Sequence, residues 1–208
     1  MHSILKYAGP VEKYPFPHIA IENAHDQYAE LAKIFPKIKY GNANTVRSYI
    51  EADRAGSGWR EFHRLHTSSA FAHEMCDKFG INRFRPDKLV CQVAINSPVT
   101  VQSTVKGPHL DHARKLWQGL WYFPVDCDDA GGDFLMYDCP TPALVNLPKY
   151  KRAVTNPGEP AKRIPYRPNM FICYLNSIAA VHGVSERKVT PLLRRYVNFS
   201  IILSVRNK

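Results

Sequence analysis

Two textures divide the hydrophobic pattern of the chain near residue 88. Before it, apolar side chains recur at helical spacing: Tyr28, Leu31, Ile34 and Phe35 in "AHDQYAELAKIFP", then Trp59, Phe62, Leu65, Phe71, Met75 and Phe79 in "GWREFHRLHTSSAFAHEMCDKFG". A repeat near 3.6 residues gathers such positions on one helix face. Asp26 is the expected cap of the first helix and Pro36 its stop, and Gly80 closes the second. Ahead of both, Pro15 and Pro17 precede the short alternating run from His18 to Ile21, which predicts an edge strand.

From Lys88 onward the apolar residues come in short runs between turn residues: "LVCQVAIN", "TVQSTV", "LWQGLWYFPV", "DFLMYD", "NMFICYLN" and "RRYVNFSIILSV". Many short strands in succession predict a closed sandwich or barrel, and a jelly roll fits best. Residues 139–169, rich in proline and basic side chains, read as a long surface loop over one mouth of that barrel. The predicted architecture is α+β in one domain over 1–208, with a mainly helical support at 1–87 and a jelly-roll core at 88–208. A chain of 208 residues suits one such core.

Composition narrows the class. With 45% hydrophobic residues the chain is expected to fold, and its net charge of +10, spread without a long basic run, favours an anionic substrate or partner. No nucleic-acid-binding signature accompanies that charge. Five cysteines without CxxC spacing read as reduced thiols of a cytoplasmic protein and do not support a zinc ribbon. Neither a signal peptide nor an 18-residue apolar stretch is present, so no membrane partner is expected.

Candidate chemistry lies in "GPHLDHARK", residues 107–115. On a strand, His109 and Asp111 project to one side while Leu110 and His112 project to the other. Two ligands at this spacing can grip one ion, and His182 in "NSIAAVHGVSERK" is the best third. Two imidazoles and a carboxylate on one side of an ion leave the other side open, which suits non-haem Fe(II) using oxygen; zinc accepts the same groups.

The H-x-D pair, the run "GLWYFPVD", the hairpin "GGDFLMYD", the distal His182 and the arginine pair opening "RRYVNFSII" follow in an order that resembles the iron(II)- and 2-oxoglutarate-dependent oxygenases. The resemblance is nearest to the prolyl-4-hydroxylase-like branch and covers about residues 88–203. It implies a double-stranded β-helix, the cupin-like form of the jelly roll. It also implies iron held by His109, Asp111 and His182, with 2-oxoglutarate and O2 as cosubstrates and ascorbate as a stimulant. Arg195 is then the partner of the 2-oxoglutarate C5 carboxylate, and Tyr122 reaches that carboxylate through its hydroxyl. The implied reaction is hydroxylation of a small molecule or peptidyl side chain with release of succinate and CO2; the Asp111 carboxylate argues against halogenation. Strand parity prefers Arg195 over Arg194, because Arg195, Val197, Phe199 and Ile201 form the apolar face. The arginine stands a few positions further beyond the distal histidine than the family usually has it. Basic stretches such as "LPKYKR" favour an anionic or carrier-tethered substrate. Two other readings use the same residues: a cupin-like ligand-binding module with an inert polar cluster, and a zinc hydrolase.

Overall fold

The computed structural model describes residues 1–208 except 40–44, 50–55, 83, 85, 102, 126–127, 148–150 and 205–208. Two six-stranded sheets carry the fold, and every strand pair in them is antiparallel. The major sheet runs β1 (His18–Ile21), β10 (Phe171–Leu175), β5 (Lys115–Tyr122), β12 (Arg194–Leu203), β3 (Pro86–Asn96), β2 (Thr45–Tyr49). The minor sheet runs β7 (Leu144–Leu147), β8 (Lys151–Val154), β4 (Ser103–Leu110), β11 (His182–Arg187), β6 (Phe134–Tyr137), β9 (Pro160–Ile164). Sequence neighbours thus pair mostly with distant strands, as a jelly roll requires.

The central strands of the major sheet are buried on both faces, and this decides where the site lies. Its outer face, with Cys91, Val93, Trp117, Trp121, Val197, Phe199 and Ile201, packs against the helices α1 (Tyr28–Lys33), α2 (Ser57–His66) and α3 (Ser69–Lys78) through Leu31, Trp59, Phe62, Phe71 and Met75. Its inner face, with Ala94, Leu120, Tyr122, Ile172, Tyr174 and Tyr196, meets Phe134, Met136 and Ile164 of the minor sheet. A third, smaller cluster around Leu110, Leu135, Tyr137 and Val181 belongs to the minor sheet's other face.

Several local expectations are corrected. The second helical pattern is two helices, because Ser68 stops the first and caps the second, its hydroxyl accepting the Phe71 N–H at 3.2 Å. Asp26 does not cap α1: Gln27 occupies that position, and the Asp26 carboxylate instead accepts from Tyr7, His2 and Lys6 at 2.8, 3.0 and 3.1 Å. The supposed loop at 139–169 contains β7, β8 and β9, of four or five residues each. Such strands are too brief to show alternation, and β7 and β9 are sheet edges, where flanking prolines cost no ladder bond. β2, inside the predicted helical third, adds an edge to the major sheet. Gly80 does close α3, in the left-handed region at φ 69°. Among the described residues Cys76, Cys91, Cys139 and Cys173 are buried and unpaired; Cys127 lies outside them. No described helix is long and apolar enough to cross a membrane.

Candidate metal centre and anion site

Antiparallel pairing of β4 with β11 sets His109 directly opposite His182, and Asp111 follows one residue after β4 ends. The register shift after His182 falls at Gly183, where an added Cβ would stand 3.3 Å from the Lys106 carbonyl oxygen. One ligand atom from each of His109, Asp111 and His182 lies within 4.8 Å of the others. Among the described residues this is the one such group of three. All three side chains are buried.

Each histidine is held by its own backbone. His109 Nδ1 bonds the Gly107 carbonyl at 2.8 Å and His182 Nδ1 bonds the Ala180 carbonyl at 2.9 Å. A carbonyl only accepts, so Nδ1 carries the proton in both rings and the Nε2 lone pairs face the Asp111 carboxylate, at 4.0 and 3.8 Å. Such outer bonds fix ring orientation in metal sites. His109 Nε2 is buried without a hydrogen-bond partner. Phe134 stacks on His182 with centroids 5.3 Å apart.

Burial, followed by the neighbouring His182, holds the His109 pKa well below the ordinary histidine value, and burial brings His182 down to about 4. Burial works against the charge of Asp111, but Lys115, His182, Lys106 and His109 together keep its carboxyl well below the usual range. At neutral pH the donors are therefore two neutral imidazoles and one carboxylate, the forms that bind a metal without first losing a proton. Lys115 Nζ stands 3.3 Å from Asp111 Oδ1, and Arg152 donates to the Asp111 carbonyl at 3.0 Å.

The sequence reading gave no role to Tyr174, whose hydroxyl lies 2.8 Å from Asp111 Oδ2 and 2.8 Å from His182 Nε2. Its signal is faint: one hydroxyl in the apolar strand "FICYL".

The two arginines of β12 are placed opposite to the parity expectation. Arg195 stands on the outer, helix-covered face, over the Phe35 ring at 5.0 Å, and donates to the Phe123 and Pro124 carbonyls at 2.9 and 3.3 Å. Arg194, 2% exposed, points inward with Tyr196 and lies 4.9 Å from the Tyr122 ring and 5.0 Å from that of Tyr166. The expectation took the apolar face to be the barrel interior. That face is apolar because helices cover it, and the polar face of β12 lines the interior.

Arg194 donates Nε to the Gly132 carbonyl at 2.8 Å and Nη1 to Asn96 Oδ1 at 3.2 Å, while Nη2 is buried without a partner. The Tyr122 hydroxyl, beside it and equally buried, makes no well-formed hydrogen bond, its polar neighbour being the Arg194 guanidinium itself. Burial pushes the Tyr122 hydroxyl up to about 12 against the opposing pull of Arg194, so it is a neutral donor. No carboxylate among the described residues pairs with Arg194. A buried guanidinium that no described carboxylate neutralises, beside a buried hydroxyl, is costly by itself and is matched by an anion with two oxygens.

No protein-family model matches the sequence, and no curated protein matches it. Solved structures do. A prolyl-4-hydroxylase from Pseudomonas putida superposes with a TM-score of 0.57 at 10% identity, over 90% of this chain and 92% of that one. HygX from Streptomyces hygroscopicus, with nickel and 2-oxoglutarate bound, gives 0.51 at 14% identity over 90% and 83%. A prolyl hydroxylase from Trichoplax adhaerens, in complex with a hypoxia-inducible-factor peptide, gives 0.50 at 13% identity over 89% and 83%. At these identities the likeness is one of architecture: the chain has the double-stranded β-helix fold of the prolyl-hydroxylase-like oxygenases.

Proposed function

We propose that this protein is an Fe(II)- and 2-oxoglutarate-dependent oxygenase that hydroxylates an anionic small molecule or peptidyl side chain. The observation that carries the reading is the shared barrel interior of His109, Asp111 and His182 with a buried arginine that no carboxylate among the described residues pairs. Neither an inert binding module nor a zinc hydrolase needs that arginine.

His109 Nε2, Asp111 and His182 Nε2 hold the metal. Arg194 Nη2 and the Tyr122 hydroxyl receive the C5 carboxylate of 2-oxoglutarate, so the role first assigned to Arg195 moves to its neighbour. Iron(II), when bound with the keto acid and oxygen, couples oxidative decarboxylation to succinate and CO2 with insertion of one oxygen atom into a substrate C–H bond. The apolar side chains of Leu120, Phe134, Met136 and Ile172 line the interior that holds both sites and exclude water from it.

The cations around the triad support the anionic substrate. Lys106 pairs in register with Val184, and Val184 with Phe134 of the inner cluster, so Lys106 faces inward. Arg47 on β2 likewise pairs with the inward Ala94. With Lys115 and Arg152 they set four positive charges at the triad's end of the barrel, which concentrates anions there. Reduced, buried cysteines support a cytoplasmic location.

The test is succinate release from 2-oxoglutarate by the purified protein with Fe(II), O2 and ascorbate. It should be abolished by His182→Ala, strongly reduced by Arg194→Met and retained by Arg195→Met. Metal-loaded protein that does not bind 2-oxoglutarate would end the proposal.

A further inference from the structure

Beside Arg194 lies a second buried arginine that the proposed reaction does not use. Arg187, fully buried at the end of β11, pairs with Asp128, whose side chain is also inaccessible; Nη2 stands 3.1 and 3.2 Å from the two carboxylate oxygens. Its Nη1 donates to the Gly131 carbonyl at 2.6 Å. The next carbonyl, that of Gly132, accepts Arg194 Nε. One glycine pair thus joins the two guanidiniums, and both lie over the Tyr166 ring, at 5.6 and 5.0 Å.

The joint is tight. Gly131 and Gly132 have φ of 92° and 96°, and an added Cβ on Gly132 would stand 3.0 Å from Cδ of both Arg187 and Arg194. Ser185 Oγ accepts the Gly132 and Asp133 N–H groups at 3.1 and 2.9 Å, and Lys188 N–H bonds the Ala130 carbonyl at 2.8 Å. The charge of Arg187 is neutralised by Asp128, which makes it a poor anion site, whereas Arg194 keeps its charge free of any described carboxylate. A buried ion pair is an expensive way to gain stability, and an apolar pair of the same size does as well or better. What an apolar pair cannot do is hold a carbonyl oxygen in place.

We propose that the Asp128–Arg187 pair is a positioning clamp for the anion-binding arginine. It fixes the Gly131–Gly132 backbone so that Gly132 takes Arg194 Nε, leaving Nη2 and the Tyr122 hydroxyl aimed at the incoming carboxylate. This rests on the assignment of Arg194 to 2-oxoglutarate made above.

The experiment compares anaerobic binding of 2-oxoglutarate and 2-oxovalerate, which lacks the distal carboxylate, to Fe(II)-loaded protein. Arg187→Met and Asp128→Asn should weaken 2-oxoglutarate about 10-fold, the size usual for outer-shell partners, and leave 2-oxovalerate unchanged, so the preference between them falls. Should the single variants fail to fold, the double variant Asp128→Leu with Arg187→Met removes both charges together and should show the same lost preference. A purely structural pair would lower the melting temperature with the preference intact, and that result overturns the clamp. Arg194→Met separates the two claims. If it leaves the preference unaltered, the assignment of Arg194 is wrong; if it abolishes the preference while the clamp variants keep it, only the clamp is wrong.

Discussion

Tyr174 carries one hydroxyl proton and faces two acceptors, Asp111 Oδ2 and His182 Nε2, each at 2.8 Å. Were the His182 lone pair given to a metal, Asp111 would be the acceptor left for that proton. The phenol would then hold Oδ2 in place, as Lys115 Nζ holds Oδ1 at 3.3 Å, so that the carboxylate keeps the orientation that a metal would require. Burial, and then the Asp111 charge, raise the Tyr174 pKa well above its ordinary value, so the group stays a donor at any working pH. Tyr174→Phe should therefore weaken Co(II) or Fe(II) binding about 10-fold, measured by competition with a coloured chelator; an unaltered affinity would remove Tyr174 from the metal's support. At this scale His109, Asp111, His182 and Tyr122 were legible in the sequence as candidates, the H-x-D pair through its own spacing and the other two through the order in which they follow it. Tyr174 was not: its partners are 63 and 8 residues away, and only pairing of β10 with β5 puts it inside the barrel.

The elements that hold the site are stiffened from behind. On α2, Phe62 is fully buried, stacks on Trp121 at 4.9 Å and on His66 at 3.9 Å, and so presses on the outer face of β5 whose inner face presents Tyr122. Phe62→Ala should cost about 3–5 kcal/mol through lost burial and the cavity left behind, read from urea unfolding. A loss under about 1 kcal/mol would mean that the helix repacks and does not brace the sheet. The helical spacing of Trp59 and Phe62 made this face legible, yet the break between α2 and α3 was hidden because Ser68 interrupts the chain without interrupting the apolar pattern. β7, β8 and β9 escaped for the opposite reason, each being shorter than the pattern that would reveal it.

Across the whole molecule, burial of histidines couples stability to pH. His66 accepts the Ile4 N–H at Nε2 (3.0 Å) and bonds the Phe62 carbonyl through Nδ1 (2.7 Å), so both nitrogens are committed and protonation would set two donors face to face. Burial holds its pKa down to about 3 and that of His25 to about 4. Below pH 6.5 the unfolded chain takes up protons that the fold refuses until about pH 4 and 3. Stability therefore falls as pH drops through that window and is insensitive to these groups above it. His66 should account for on the order of 3 kcal/mol of the loss. His66→Gln, which cannot titrate, should make the urea midpoint less steeply dependent on pH between 6.5 and 4, the remaining slope coming from His25, His109 and His182; a slope equal to that of the unaltered protein would refute the assignment.

The sequence alone determined what is set by neighbours along the chain: an edge strand at His18–Ile21 and helices in the first third, strands after residue 88, a histidine and an aspartate spaced to share an ion, and Gly80 as the stop of a helix. Tertiary structure decided what depends on which surfaces meet. It brought His182 to His109 across a strand pair, joined Tyr174 to the same centre, and turned Arg194 rather than Arg195 toward the barrel interior. Alternation along β12 says that two faces exist, but not which is the interior, since helices can cover one face of a sheet as fully as a second sheet covers the other. The apolar face of β12 went to the helices, and the face left lining the barrel carries the buried charge.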